Sequence, residues 1–152
     1  MFRPHYLSPA FLNPDKNSFN RLNAIPTLLR EKDKLSSPVH GVRFAYNILT
    51  APSRGAEELC TWRLEIEPHA KSEAHWLDHE EVFILLSGTI TVSVAGENIE
   101  LHAGDALSVP ARSLLQLTHT GEVTAHAVVC LPARTLATMA DGREIGTPPW
   151  AQ

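Results

Sequence analysis

The stretch over residues 68–88 constrains the fold and function of this chain more than any other. It reads PHAKSEAHWLDHEEVFILLSG, with a polar first half and an apolar second half that ends in glycine. Alternate side chains of an extended strand share a face, so a regular strand would direct His75, His79 and Glu81 to one side. Imidazole nitrogen and carboxylate oxygen both bind divalent metals well. The stretch therefore predicts a metal or polar binding site, although two ordinary strand histidines beside a paired glutamate give the same pattern.

Length and charge narrow the class of protein. The 152 residues suit one domain, and the net charge of −4, with both signs interleaved, argues against a nucleic-acid partner. No apolar stretch is long enough to cross a membrane, and the N-terminus lacks the apolar core of a signal peptide. We therefore expect a cytoplasmic protein without a membrane partner.

The first 40 residues show no clean hydrophobic period and are punctuated by prolines. Their apolar side chains argue against full disorder, although partial disorder stays open. We interpret residues 1–40 as an arm that lies over the core or over a second subunit. The arm or a strand would extend the partner's sheet and cover an exposed edge, so the sequence predicts a homodimer.

Short segments rich in β-forming residues dominate the region 41–133. Turn signals separate them at regular intervals, which is typical of a sandwich or a barrel. Besides the opening stretch, the predicted strands are 42–49, 59–67, 89–94, 99–101, 106–110, 114–119 and 123–131. The remaining region, 134–152, is predicted to contain a short helix at 134–140 and a polar tail whose Trp150 docks on the body.

Residues 59–131 resemble the cupin family of small β-barrels. Glu81 is followed after six residues by Gly88, and His75 stands six residues before Glu81, as in the first cupin motif. The turn at 104–106 and the short strand after it resemble the second motif. The resemblance implies an all-β fold, a double-stranded β-helix or jelly-roll barrel, between an irregular N-terminal arm and a short C-terminal helix and tail.

The departures from the family pattern fall mostly on the chemistry. His69 and Arg112 stand where the two motifs usually have glycine. Leu77 and Leu115 stand where the family has two of its four metal ligands, and leucine has no donor atom. The usual four-ligand site is therefore absent. A site of His75, His79 and Glu81, completed by His119 or water, would still supply enough ligands for a divalent Zn, Fe, Mn or Ni ion.

Three functions fit this pattern. The favoured one is a small-molecule binder in which Leu77, Leu115 and Leu117 line an apolar barrel mouth, while a few polar groups orient the ligand. The alternative is a metal-dependent cupin enzyme, of oxygenase or isomerase type, with His75, His79 and Glu81 as ligands. The third is a structural role with the barrel filled by its own side chains. The sequence does not decide whether the chain is an enzyme.

Overall fold

The computed structural model describes residues 39–41 and 43–152, which form strands joined by turns and two single-turn 3₁₀ helices, Pro52–Arg54 and Pro149–Ala151. The strands are β1 (Val39–Gly41), β2 (Phe44–Thr50), β3 (Leu59–Ile66), β4 (His75–Leu77), β5 (Glu81–Ser87), β6 (Thr89–Val94), β7 (Glu97–His102), β8 (Ala106–Val109), β9 (Leu115–Thr118), β10 (Ala125–Pro132), β11 (Ala137–Met139) and β12 (Glu144–Gly146). The predicted arm lies almost wholly outside the described residues, so its structure and the homodimer stay predictions.

The strands form two antiparallel sheets of six strands each. The first sheet has the order β1-β2-β3-β10-β5-β8, and the second has the order β12-β11-β4-β9-β6-β7. Buried side chains from both sheets form one hydrophobic core between them. The all-β jelly-roll fold predicted from the sequence is confirmed, with two separate sheets in place of a closed barrel. Among the described residues, no helix has the length and apolarity needed to cross a membrane.

Strand alternation places the core as the sequence pattern predicts. In β3 the side chains of Cys60, Trp62, Leu64 and Ile66 are buried, whereas Arg63 between them is exposed. The same period-two pattern recurs in β10, where alternate residues from Ala125 to Leu131 are buried. Because a strand turns successive side chains to opposite faces, one face of each strand reaches the core.

Two turns contain left-handed backbone, and one of them holds the motif glycine Gly88. Ala95 and Gly96 join β6 to β7 with φ angles of 49° and 88°, the left-handed pair that a two-residue hairpin requires. Gly88 has φ 84°, and a Cβ built there would lie 2.7 Å from the Cβ of Ala125. The Gly88 position therefore excludes a side chain both by its conformation and by the close approach of β10.

The left-handed backbone persists where the family's other glycines are replaced. His69 and Arg112 both have φ 62°. An L-residue costs about 1–2 kcal/mol in this region, so the fold keeps the turns at some expense in stability.

The predicted helix over 134–140 is wrong. Residues Ala137–Met139 form β11, whose backbone pairs with the short strand β4. Tertiary pairing overrides the local preference here. The docking of Trp150 is confirmed, because its ring stacks on Tyr46 with 3.8 Å between centroids and 13° between planes. Trp150 itself lies in the final 3₁₀ turn.

Candidate ligand-binding site

The stretch that organises the sequence is divided between the two sheets. The regular strand that would turn His75, His79 and Glu81 to one side is not formed: β4 belongs to the second sheet, β5 belongs to the first, and the chain bends at residues 78–80. Asp78 holds the chain in this bend, because its N–H donates to the Leu136 carbonyl (3.1 Å) and its Oδ1 accepts from the Leu136 N–H (2.7 Å). A regular alternation therefore cannot run through the bend.

The bend separates the three predicted ligands. His75 and Glu81 border the same cavity, whereas the side chain of His79 is 49% exposed and borders no part of it. The His79 Nδ1–H donates to Asp78 Oδ1 at 2.8 Å. Burial alone would raise the pKa of Asp78, but hydrogen bonds from Leu136 and His79 bring that pKa below its ordinary value. His79 therefore supports the bend.

The cavity lies between the sheets and has two neighbouring parts that share six lining residues. The outer chamber, of about 350 Å³, is covered on one side by the C-terminal segment, and the inner chamber, of about 60 Å³, reaches the core. The outer chamber alone is bordered by Lys71, Glu73, Leu77, Leu131, Ala137, Met139, Ile145 and Pro148. Both chambers are bordered by Phe44, Tyr46, Ser72, His75, Glu81 and Trp150. The inner chamber alone is bordered by Trp62, Leu64, Phe83, Leu115, Leu117 and Val129.

Glu81 is the polar group most enclosed by this cavity. It begins β5, is 5% exposed, and its Oε2 has no hydrogen-bond partner among the described residues. Burial raises the pKa of Glu81 to about 8, because an apolar setting disfavours the carboxylate. At neutral pH the group is therefore mostly a neutral carboxylic acid, which can donate as well as accept a hydrogen bond.

Three aromatic side chains form a wall of the cavity that Glu81 also borders. Phe44, Tyr46 and Trp150 border both chambers, and Trp150 also meets Trp62 edge-on at 6.4 Å between centroids. Burial raises the pKa of Tyr46 to about 12, helped by the charge that Glu81 carries once the pH is above its own pKa, so the Tyr46 hydroxyl stays protonated at neutral pH. The wall offers flat apolar surface with polar tips.

His75 has one ring nitrogen committed and one available. Its Nδ1 lies 3.0 Å from the Glu73 carbonyl oxygen, which can only accept, so the proton of the neutral ring sits on Nδ1. The Nε2 atom is then an acceptor. His75 and the neutral Glu81 thus bring an acceptor and a donor to one cavity.

His119 is buried elsewhere and has its own partners. It is 2% exposed, its Nδ1 lies 3.0 Å from the Thr89 carbonyl, and its Nε2 lies 2.8 Å from the Val123 carbonyl. It borders neither chamber, so the structure does not bring it to His75 and Glu81 as a fourth ligand. Because a carbonyl only accepts and a neutral imidazole has one N–H, the ring donates to one of these two carbonyls, which lie at the start of β6 and in the loop before β10.

The residues present do not fit the divalent metal site that the family resemblance implies. Leu77 and Leu115 border the cavity without donor atoms, which leaves His75, Glu81 and the exposed Glu73 as the imidazole and carboxylate side chains there. Within residues 43–152, no group of three or more His, Cys, Asp or Glu side chains is placed to hold a metal ion. Metal binding by this chain therefore stays a prediction for direct measurement.

The residues that sequence reasoning missed come from outside the motif. Met139, Ile145 and Trp150 cover the outer chamber, and they belong to a segment predicted as a helix and a tail. Only the expected docking of Trp150 pointed toward this cover. Leu77, Leu115 and Leu117 do border the cavity, at the positions where the sequence placed apolar lining.

Comparison with known proteins places this geometry in a family. The family model described as "Cupin domain" matches residues 62–131. No curated protein matches the chain significantly.

Three solved structures illustrate the likeness of fold. The polyketide cyclase RemF from Streptomyces resistomycificus is 15% identical with a TM-score of 0.63, over 82% of this chain and 89% of that one. An RmlC-like cupin from Shewanella frigidimarina NCIMB 400 is 17% identical with a TM-score of 0.61, over 71% and 91%. A candidate sugar phosphate isomerase from Acidithiobacillus ferrooxidans ATCC 23270 is 19% identical with a TM-score of 0.60, over 76% and 81%. At these identities the comparison establishes the fold and no activity.

Proposed function

Residues 62–131 of this chain belong to the cupin family, and from that premise we propose that the chain binds a small, mostly apolar organic molecule between its two sheets. Glu81 and His75 serve as its polar anchors, and no metal ion takes part. The apolar side chains of both chambers supply the contact area.

The observation that carries this function is the unpartnered Oε2 of Glu81. An unsatisfied buried polar atom costs about 1–3 kcal/mol, so native proteins rarely keep one without a reason. Glu81 borders both chambers, and less than 1 Å² of its Oε2 surface is accessible, so a bound molecule reaches that atom through a small shift of the neighbouring side chains. A ligand that hydrogen-bonds to Glu81 would recover this cost and convert it into affinity.

The size and lining of the cavity support the same function. Ligand sites are commonly about 300–1,000 Å³, mostly apolar, with few polar groups. The outer chamber lies at the lower end of this range, and its polar side chains Lys71 and Glu73 are exposed. A compact ligand with a flat apolar body suits this shape, because aromatic rings pack well on the wall formed by Phe44, Tyr46 and Trp150.

A cavity-filling substitution tests the proposal. Uncharged aromatic fragments would be screened by ligand-observed NMR against wild-type protein treated with a chelator. Met139→Trp fills the outer chamber and should abolish the binding, whereas Leu136→Trp changes an exposed residue three positions earlier and should leave it intact. Fragments that bind both variants as well as wild type, or none at all, would contradict the proposal.

Elemental analysis separates this function from the metal-dependent alternative. Protein purified without added metal should contain no stoichiometric transition metal, and chelation should not change fragment binding. A metal present at one equivalent per chain, and lost in His75→Ala and Glu81→Ala, would support the metal-dependent oxygenase or isomerase instead.

A further inference from the structure

We propose that residues 1–38 of this chain pack across the outer face of its own first sheet, where they cover an apolar patch centred on β5. The patch consists of six outward side chains from three neighbouring strands: Val82, Ile84, Leu86, Ala106, Val128 and Cys130. It lies on the side of the sheet away from the cavity, so the inference does not depend on the proposed function.

Strand alternation and register define this patch. In β5 the side chains of Phe83 and Leu85 are buried in the core, so the residues on either side of them point outward. Ile84 pairs with Val128 of β10 on one side and with Ala106 of β8 on the other. Directly paired residues of antiparallel strands share a face of the sheet. The outward side chains of β8, β5 and β10 therefore form one continuous surface.

The patch is apolar and exposed, which sets it apart from the rest of the same sheet face. Ile84 is 39% exposed and Leu86 is 48% exposed. Two strands away, the outward residues of β3 include Arg63 and Glu65, as expected for a face in contact with water. Contiguous apolar surface of this kind marks a place where another segment or molecule binds.

The size of the patch favours a chain segment over a second copy of the domain. Stable interfaces between two proteins use about 20–30 residues a side. The patch has six apolar residues, and Arg63 and Glu65 follow beyond β10 on the same face. An extended segment needs only a narrow apolar strip, because alternate side chains along it can meet the same surface.

Residues 1–38 are long enough to reach the patch. They lead directly into β1, at one edge of the first sheet, and β2, β3 and β10 lie between β1 and β5. Strands lie about 4.8 Å apart, so four spacings amount to about 19 Å, which about six extended residues span. Most of the segment is thus available to lie over the patch.

The sequence of residues 1–38 matches this surface in polarity and in charge. Apolar side chains such as Phe11, Phe19 and Ile25 recur along it. Its six Lys and Arg against three Asp and Glu give a net charge of +3, whereas residues 39–152 have seven against fourteen and a net charge of −7. The exposed Glu80 and Asp105 stand beside the ends of β5 and β8. Attraction between opposite charges therefore favours the proposed contact.

Photo-cross-linking in the full-length chain identifies what covers the patch. p-Benzoylphenylalanine replaces the exposed Leu86, and equal amounts of unlabelled and ¹⁵N-labelled protein are refolded together before irradiation. Position 86 should cross-link to peptides from residues 1–38, and both halves should carry the same isotope, because the segment and the patch belong to one chain. The matched control replaces Leu114, which is 42% exposed beside β9 of the second sheet, and it should capture none of these peptides.

The thiol of Cys130 gives a second readout without any change in the patch. Cys130 is partly exposed on the outward face of β10, so a segment that covers the patch slows its alkylation by iodoacetamide. Phe11→Ser together with Phe19→Ser removes apolar contacts from the segment and should speed this alkylation about tenfold or more. Asn13→Ser together with Asn17→Ser changes polar neighbours in the same segment and should leave the rate unchanged.

The contrary outcomes are distinct. Links from position 86 to residues 1–38 that join the two isotopes would overturn the inference in favour of a segment from another chain. Mixed-isotope links to β5 or β10 would overturn it in favour of contact between the faces of two copies. No link at all, or an unchanged Cys130 rate in the phenylalanine double variant, would mean that the face is open and would also overturn it.

Two features keep these results decisive. Should the p-benzoylphenylalanine variant not fold, the Cys130 rate alone decides. Position 86 borders neither chamber, so fragment binding in the cavity should be unchanged, and failure of this inference leaves the proposed function standing.

Discussion

Glu81 and His119 are both buried polar side chains in this domain, yet their surroundings differ sharply. His119 lies away from the cavity with each ring nitrogen within 3.0 Å of a backbone carbonyl. Glu81 borders the cavity and keeps an unpartnered oxygen. In the first arrangement the polar atoms contact the backbone and help to hold strands and loops together. The second leaves a buried polar atom that the described residues do not satisfy.

Glu81 and His119 together show what distinguishes a structural from a functional polar group in one core. Burial alone does not distinguish them, because His119 is 2% exposed and Glu81 is 5% exposed. The distinguishing feature is whether the fold itself satisfies the group. By this criterion His119 stabilises the fold, whereas Glu81 costs stability that a ligand can recover.

The largest expected effect concerns His119. His119→Ala removes a buried, hydrogen-bonded imidazole and leaves a void, so it should lower the free energy of unfolding by about 2–4 kcal/mol in urea titrations. Ligand binding by the folded fraction should not change. His126→Ala, on the exposed face of β10, is the control and should cost less than about 0.5 kcal/mol. A stable His119→Ala protein that no longer binds ligand would reverse the assignment of roles.

Glu81→Gln should show the opposite sign. The pKa of Glu81 is raised from 4.5 to about 8, so the folded state holds its proton more tightly than the unfolded state. The resulting stability is fully present below pH 4.5 and is lost as the pH rises through about 8. Glutamine stays neutral at every pH. The free energy of unfolding of Glu81→Gln should therefore exceed that of wild type by about 1–3 kcal/mol at pH 9.

The control for this pH dependence is Glu97→Gln, which removes an equal charge from an exposed strand end. Urea titrations from pH 5 to pH 9 should show wild type and Glu97→Gln falling together, with a shallower slope for Glu81→Gln. Parallel curves for all three proteins would mean that Glu81 is already ionised in the fold.

A designed metal site would give Glu81 a binding partner, as His119 has in the backbone carbonyls beside it. Leu77 and Leu115 border the cavity with His75 and Glu81, and His75 lies directly opposite Leu115 across β4 and β9. The double substitution Leu77→His and Leu115→His should create Zn²⁺ binding by calorimetry and cost about 1–2 kcal/mol without metal. Adding His75→Ala should weaken the binding. Failure of the double variant to bind Zn²⁺ would indicate that the four positions do not converge.

The smallest expected effect concerns His79. Its ring is held by Asp78 at the surface, so His79→Ala should change stability by less than about 0.5 kcal/mol and leave ligand affinity unchanged. His75→Ala should weaken binding, since it removes an acceptor from the cavity. Loss of ligand or metal in His79→Ala would restore the three-residue site predicted from the strand pattern.

Much of the fold could be predicted from local pattern. The alternation in β3 and the glycine at 88 are local properties that the structure keeps. The pairing of β11 with β4 is not local, and neither is the bend held by Asp78 and Leu136, residues 58 positions apart in sequence. A prediction that assumes regular strand alternation through that bend therefore assigns His79 to the wrong surface.

The motif residues of the candidate site could be predicted from the sequence. The lining residues from distant parts of the chain could be predicted less well. His75, Glu81 and Leu77 follow from the motif and do border the cavity. Trp150 completes the wall from 69 residues beyond Glu81, and Trp62 reads as an ordinary core residue in any strand pattern. Its place beside the inner chamber becomes visible only when all neighbouring atoms are placed.

The central claim is that Glu81 is a neutral, unpartnered acid in a cavity built for a ligand, and its titration tests this most directly. In protein labelled with ¹³C at glutamate side chains, the Glu81 δ-carbon signal is identified by its loss in Glu81→Gln and followed against pH. We expect a midpoint near pH 8. A midpoint near the ordinary value of 4.5 would contradict it.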